Sequence, residues 1–204
     1  MKTFKQLLQQ RTSVSRYQAG NPLDASVIED LIQQAALAPS AYNLQNWRFI
    51  AVSSDGQKHA LHQAAYQQPQ ILDAATTIIV IGTLNAHQAL PEVLQLSVDA
   101  GIMPDNVAQG WVAAATSSHQ HDPQAQRDEA IRSASMAAMN LMLAATDMGI
   151  DNGAMGGFDA EQLATAFNLS DNDVPVMLIT LGKASEQAWS QKVRRPVADL
   201  LQQV

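Results

Sequence analysis

The chain has 204 residues, 47% of them hydrophobic, 15% charged and 5% aromatic, with a formal net charge of −7. That is enough apolar mass to fill a core, which sets aside a disordered chain, and the acidic balance gives no general attraction to nucleic acid or to an anionic membrane. No cysteine occurs, so disulfides, thiol nucleophiles, iron–sulfur ligation and cysteine zinc sites are excluded, and redox chemistry here needs a bound organic cofactor or a His/carboxylate metal site.

The N-terminal "MKTFKQLLQQRTS" has no apolar segment of signal-peptide character, and a cytoplasmic location is the expectation. Residues 3–10 predict a short helix, followed by the polar "RTSVSRYQAGNP". A second helix starts with Asp24 as N-cap and with Leu23 and Ile28 spaced as a hydrophobic staple. Val27, Ile28, Leu31, Ile32 and Ala35 give its buried stripe, and Pro39 ends it. The runs "WRFIAV" (47–52), "TTIIVIG" (76–82) and "VPVMLITLG" (174–182) read as strands. They are apolar on both faces, as in a central sheet covered by helices. Asp122 and Pro123 supply the N-cap and first position of a long helix over 123–148. Its apolar part, "SASMAAMNLMLAATDMGI" (133–150), carries Asn140 and Asp147 and follows Arg132. A membrane span is a poor fit to that segment; burial in a core or between subunits suits it. A weaker strand at 150–153 leads into "GAMGGFD", after which Asp159 caps a helix with Phe158 and Leu163 at staple positions. With no repeat or linker, the reading is an α+β chain forming a single domain over 1–204.

Polar or glycine-rich residues interrupt this pattern at four places. In "QQRTSVSR", Arg11, Ser13, Ser15 and Arg16 offer guanidinium forks and hydroxyls suited to a phosphate, although a solvated turn would use the same residues. In "APSAYNLQNW", Ser40, Asn43 and Gln45 can read the mixed edge of a heterocycle or satisfy loop backbone. In "NGAMGGFD", Gly153, Gly156 and Gly157 permit close approach of a flat ligand, or make a tight strand-to-helix turn. The spacing is not that of a dinucleotide fingerprint. In "KVRRP", Lys192, Arg194 and Arg195 are a solvated tail or an anion clamp complementing Arg11. His59 with His62, and "HQH" at 119–121, are weak metal candidates without a placed third ligand, and no metal site is expected.

Taken in order, "RTSVSRY", "APSAYNLQNWRF", "ILDAATTIIVIG", "AAMNLMLAATDMGIDNGAMGGFD" and "KVRRPVADLL" resemble the FMN-dependent nitroreductase family over most of the chain. The resemblance implies a nitroreductase-like fold, with a central, mostly antiparallel sheet flanked by helices, in an intertwined homodimer holding two FMN molecules at its interface. It implies an NAD(P)H oxidoreductase working by a ping-pong cycle on small acceptors such as nitroaromatics and quinones, with no nucleic-acid or membrane partner. The chemistry would be carried by FMN rather than by a catalytic side chain, with NADH or NADPH as electron donor. A flavin-binding storage or regulatory protein is the competing reading.

By position, the resemblance assigns Arg11, Thr12, Ser13, Lys192 and Arg194 to the phosphate and ribityl end. It sets Pro39, Ser40, Asn43 and Gln45 beside a flavin bound mainly to the other subunit. Gln67 falls near the pyrimidine end, and Met155, Gly156 and Gly157 form the loop against the ring. Relatives tend to place Arg or Lys where this chain has Ser15, and a lysine where it has Gln70; both positions are carried over as cofactor-binding. Alternation along an extended segment sets Arg16 on the other side from Ser15, so the missing cation is not expected to be restored.

Overall fold

The structure, a computed structural model, describes residues 3–20 and 22–204. Strands β1 (Trp47–Val52), β2 (Thr76–Thr83), β3 (Asp151–Met155) and β4 (Asp173–Gly182) form an antiparallel sheet in the order β1-β2-β4-β3. The central pair is formed by the two most continuously apolar runs of the sequence. Along β2, Ile78 and Val80 face one side while Ile79 and Ile81 face the other, and all four are buried. β1 is an edge strand, so its burial is partial and Ala51 is exposed; the expectation that it is covered on both faces holds only for the inner strands.

Helices α1 (Phe4–Gln10), α2 (Ala25–Ala35), α3 (Asp55–Ala64), α4 (Gln70–Asp73), α5 (Leu90–Asp99), α6 (Asp105–His119), α7 (Pro123–Asp147) and α8 (Ala160–Ala166) surround the sheet. On one face, Leu31 and Ala35 of α2 and Ala134, Ala138, Leu141 and Ala145 of α7 pack on Ile78, Val80, Ile179 and Leu181. On the other, Leu61 and Ala64 of α3, Ile71 of α4 and Leu163 of α8 pack on Ile79, Ile81 and Leu178. The alanine-rich inner stripe lets α7 lie close to the sheet: a Cβ added at Gly82 would stand 2.7 Å from the Ala130 carbonyl oxygen.

Caps follow the local chemistry. Asp122 accepts from the Ala125 N–H at 2.9 Å to start α7, and Asp159 accepts from the N–H groups of Glu161 and Gln162, each at 3.0 Å, to start α8. Asp24 has the extended N-cap backbone before α2 but makes no side-chain cap bond there. The α5–α6 pair builds a separate cluster in which Leu90, Leu94, Ala108 and Ala115 close on Leu44, with Ala41 and Tyr42 against them.

Candidate functional site

The "RTSVSRY" segment is not a solvated turn. Val14 and Tyr17 are buried with Ala74, the Val14 N–H donates to Asn152 O at 3.0 Å, and Ser13 forms a parallel bridge with Asn152 while Tyr17 pairs with Ala184. The segment therefore lines the free edge of β3. Gly153 makes the approach possible, because a Cβ there would stand 2.3 Å from Val14 O. With Val14 and Tyr17 turned inward, three residues apart, Ser13, Ser15 and Arg16 are all exposed. They line one cleft of about 240 Å³ together with Glu186 to Trp189 and Lys192. This corrects the alternation argument: Arg16 and Ser15 face the same cleft, because the segment is held by isolated bridges rather than by a regular ladder.

The C-terminal tail reaches this edge within the same chain. Gln191 Nε2 donates to the carbonyl oxygens of Leu8 and Arg11, at 2.5 and 3.1 Å. Lys192 Nζ lies 4.1 Å from the centroid of the Trp189 ring, a cation–π contact that holds the ammonium at the cleft. Arg11 and Thr12 border a neighbouring cleft of about 250 Å³ with Thr146 and Ile150 to Asn152. Arg194 lines neither cleft; its Nη1 donates to Lys192 O at 2.6 Å, folding it back on the tail.

At the far end of β3 a second group converges. Tyr66 and Gln67 follow α3 in left-handed conformations, φ 52° and 56°. Gln68 Nε2 then donates to Gly157 O at 2.8 Å, while Gln70 Nε2 reaches Gln68 Oε1 at 3.2 Å and Met155 Sδ at 3.5 Å. Thus Gln70, Met155, Gly156 and Gly157 belong to one patch, and Gln67, which is exposed, adjoins it only as the residue before Gln68. Gln68 is the amide that ties it together and is not among the residues carried over from the family. A Cβ on Gly156 would meet nothing within 4 Å, so the backbone there is open to a ligand. Among the described residues, the N–H groups of Gly156 and Gly157 find no acceptor. From Asn152 to Gly156 a strand advances about 13 Å, so β3 separates a cationic, hydroxyl-rich end from a flat backbone end.

The Pro39–Gln45 loop is elsewhere. It precedes β1, at the opposite edge of the sheet from β3 and three strand spacings away, or roughly 14 Å. Tyr42, Asn43 and Gln45 all have positive φ (52°, 60° and 46°), a concentration of left-handed residues that a loop sustains only when its surroundings hold it. Ser40 Oγ accepts from the Gln45 N–H at 2.9 Å, and the Ala41 N–H donates to Glu129 Oε1 at 3.4 Å. Pro39 and Gln45 are exposed, Ser40 and Asn43 half-buried. Within one chain these four residues do not join the other two groups.

Glu129 was also missed by sequence reading. The available signal was its position four residues before Ser133 on the inner stripe of α7, where a carboxylate needs a reason. The histidines do other work: His59 Nδ1 bonds to Asp55 O at 2.8 Å, and buried His119 stacks on His87 with ring centroids 6.2 Å apart. Burial, and secondarily His119, lowers the His87 pKa. Among the described residues no group of three or more His, Asp or Glu side chains is placed to hold a metal ion, and no helix is long and apolar enough to cross a membrane.

Comparison with known proteins bears on the family and the fold. The Nitroreductase family profile matches residues 8–183. YodC of Bacillus subtilis (strain 168), which carries the name of an NAD(P)H nitroreductase, is 37% identical over 192 residues, covering 94% of this chain and 94% of its own. A CLA biosynthesis enone reductase from Lactiplantibacillus plantarum is 28% identical over 181 residues, 87% of this chain and 83% of its own. Among solved structures, a nitroreductase from Exiguobacterium sibiricum 255-15 in complex with FMN superposes with a TM-score of 0.92 at 29% identity, covering 100% of this chain and 98% of that one. With the family profile matched over most of its length, a relative 37% identical across 94% of it, and its fold shared with the Exiguobacterium structure, the chain belongs to the nitroreductase family.

Proposed function

We propose that this chain is an FMN-dependent NAD(P)H oxidoreductase that acts as a homodimer and reduces small flat acceptors such as nitroaromatics or quinones. The observation that carries the reading is the pairing along β3 of an anion cleft at one end with an open glycine backbone at the other. The donor set fits a flavin mononucleotide. Arg11, Arg16 and Lys192, with the hydroxyls of Thr12, Ser13 and Ser15, suit a phosphate monoester and the ribityl chain, and Glu186 bounds the cleft on its acidic side. The free N–H groups of Gly156 and Gly157 suit the polar edge of a ring, and Gln67 and Gln70 its pyrimidine end. The FMN complex of the Exiguobacterium relative supports the same cofactor here.

When bound, FMN supplies the redox chemistry, taking hydride from NADH or NADPH and returning electrons to an acceptor. The chain's own residues position and exclude. The clamp residues would neutralise the phosphate, and the open backbone at Gly156 would leave room for donor and acceptor to occupy one place in turn, as a ping-pong cycle requires. The acidic residues that line the clefts, Glu186 and Asp151, belong to the phosphate end rather than to the glycine loop, and the proton is assigned to water.

The homodimer is supported by two features. Ser40 and Asn43 lie at the sheet edge away from the clamp, as half-sites for a partner's flavin would. The tail also carries exposed apolar side chains, among them Trp189 at 76%, Val193 at 98% and Leu200 at 64% exposure, which a partner surface would cover. The test is to denature purified protein, identify the released flavin, and follow anaerobic reduction of the holoprotein by NADH and by NADPH. Released FMN and rapid bleaching are expected. Released FAD would overturn the cofactor, and no bleaching at millimolar nicotinamide would make the protein a flavin carrier rather than a reductase.

A further inference from the structure

We propose that Glu129 is a positioning residue for the flavin half-site: it ties the Pro39–Gln45 loop to α7 and so holds Ser40 and Asn43 in place for a ligand. The proposal rests on the reading that Ser40 and Asn43 face the partner's FMN.

Glu129 is 6% exposed on a stripe otherwise filled by Ala, Ser, Leu and Met. A carboxylate in such a place costs several kcal/mol unless it is paired and hydrogen-bonded. It has three partners: Arg132, with which it forms an ion pair, Ser133 Oγ at 2.9 Å, and the Ala41 N–H at 3.4 Å. The first two are its own helical neighbours. Only the third reaches another element.

Ala41 opens a 3₁₀ turn, Ala41–Asn43, whose first N–H has no acceptor inside the turn. Ser40, the N-cap residue of the turn, has the extended N-cap backbone (φ −143°, ψ 157°) yet makes no side-chain cap bond to the later N–H groups. Its Oγ instead spans the loop to accept from the Gln45 N–H. Glu129 therefore accepts from the first donor of the turn, a group that an N-cap side chain, which serves the second or third N–H, leaves open, and it ties the loop to α7. The Ser40 hydroxyl then braces Gln45 through its lone pair and keeps its proton to donate. The braced loop is the one that holds Tyr42, Asn43 and Gln45 in left-handed backbone, so removing the brace releases strain directly at the half-site.

The test titrates FMN into the flavin-stripped full-length protein and measures exchange of the Ala41 and Tyr42 amide hydrogens. Glu129→Gln is expected to raise the FMN Kd about tenfold and to speed that exchange. Ala41→Pro removes the same N–H without touching α7. The backbone of Ser40 already suits the residue before a proline, and the first position of a helical turn accepts one. It is expected to weaken FMN to a similar degree, and the double variant to be no weaker than either single one. Should Glu129→Gln fail to fold, Ala41→Pro decides alone. If both variants keep the wild-type Kd while Ser40→Ala and Asn43→Ala raise it, Glu129 serves only the fold and the proposal is overturned. If Ser40→Ala and Asn43→Ala also leave Kd unchanged, the half-site reading itself fails.

Discussion

One methyl group, added by Gly153→Ala, tests whether the anion clamp is built as described. The new Cβ would stand 2.3 Å from Val14 O, 3.1 Å from Thr180 Oγ1 and 3.3 Å from Tyr17 Oη. Non-bonded carbon contacts settle near 3.5–4.0 Å, so the Val14 carbonyl has to retreat by about 1 Å. It cannot do so alone. The Val14 side chain is buried with Tyr17 and Ala74, its N–H is bonded to Asn152 O, and its carbonyl accepts from Tyr17 Oη at 3.3 Å. Overpacking of this kind costs about 1–3 kcal/mol, and a lost backbone hydrogen bond adds about 1 kcal/mol, giving roughly 2–4 kcal/mol. Because Arg11, Ser13, Ser15 and Arg16 ride on the displaced segment, most of that cost should appear as lost FMN affinity. The ceiling is roughly 30- to 1,000-fold.

Calorimetric titration with FMN, paired with thermal melts with and without flavin, separates local detachment from global destabilisation. Gly156→Ala is the control, since its Cβ enters open space and should leave the melt of the flavin-free protein unchanged. Wild-type melting and wild-type FMN affinity in Gly153→Ala would refute the close pairing of the "RTSVSRY" segment with β3, and with it the placement of the clamp.

How much of this was legible in the sequence depended on whether the cause was local. β2 and β4 were readable because a strand buried on both faces has an uninterrupted apolar run, and α7 and α8 because Asp122 and Asp159 act within their own turns. The 3₁₀ turn at Ala41–Asn43 was not readable, since its conformation is held by Glu129, far along the chain. The "RTSVSR" and "GAMGGFD" segments were recognisable as special from composition, but their junction through Asn152 and Gly153 is a tertiary fact. The same holds for Arg16. Period-two alternation placed it away from Ser15, and two isolated bridges, rather than a ladder, put both on the cleft. Family resemblance supplied Gln67 and Gln70, whereas Gln68, which bonds to the glycine loop, became visible only once Gly157 lay beside it.

Three further outcomes are expected. Arg48 donates both Nε and Nη2 to Asp173 (2.6 and 2.8 Å), and this pairing, helped by Ser170, holds the Asp173 carboxyl at about 2 instead of 3.8. A depressed folded pKa stabilises the protein fully above the unfolded value, and that contribution is lost as pH falls from about 4 through about 2. With Arg48 partly exposed it is worth ~1–2 kcal/mol, so Asp173→Asn should flatten acid melting over that window, and unchanged acid slopes would contradict it. At the glycine loop, a Cβ on Gly157 would meet the movable Gln68 Nε2 at 3.2 Å, so Gly157→Val should fold, displace Gln68 and weaken flavin, whereas Gly156→Glu should keep flavin and shift acceptor preference; wild-type kinetics in Gly157→Val would remove this loop from the site. The last outcome concerns the tail. Truncation after Arg195 keeps Lys192 and Arg194 but removes Val197, Leu200 and Leu201, which are 70%, 64% and 56% exposed in the single chain. Burying each such side chain against a partner is worth about 1.5–3 kcal/mol, a ceiling that ordering of the tail reduces. A dimer that relies on this cover should dissociate at far higher concentrations when truncated, and FMN should be lost with it even though the clamp is intact. Sedimentation velocity with absorbance detection at the flavin band reads both together. A truncated protein that sediments like the full chain would assign the dimer contact to another surface, and a truncated monomer that still holds FMN would show that one chain completes the site.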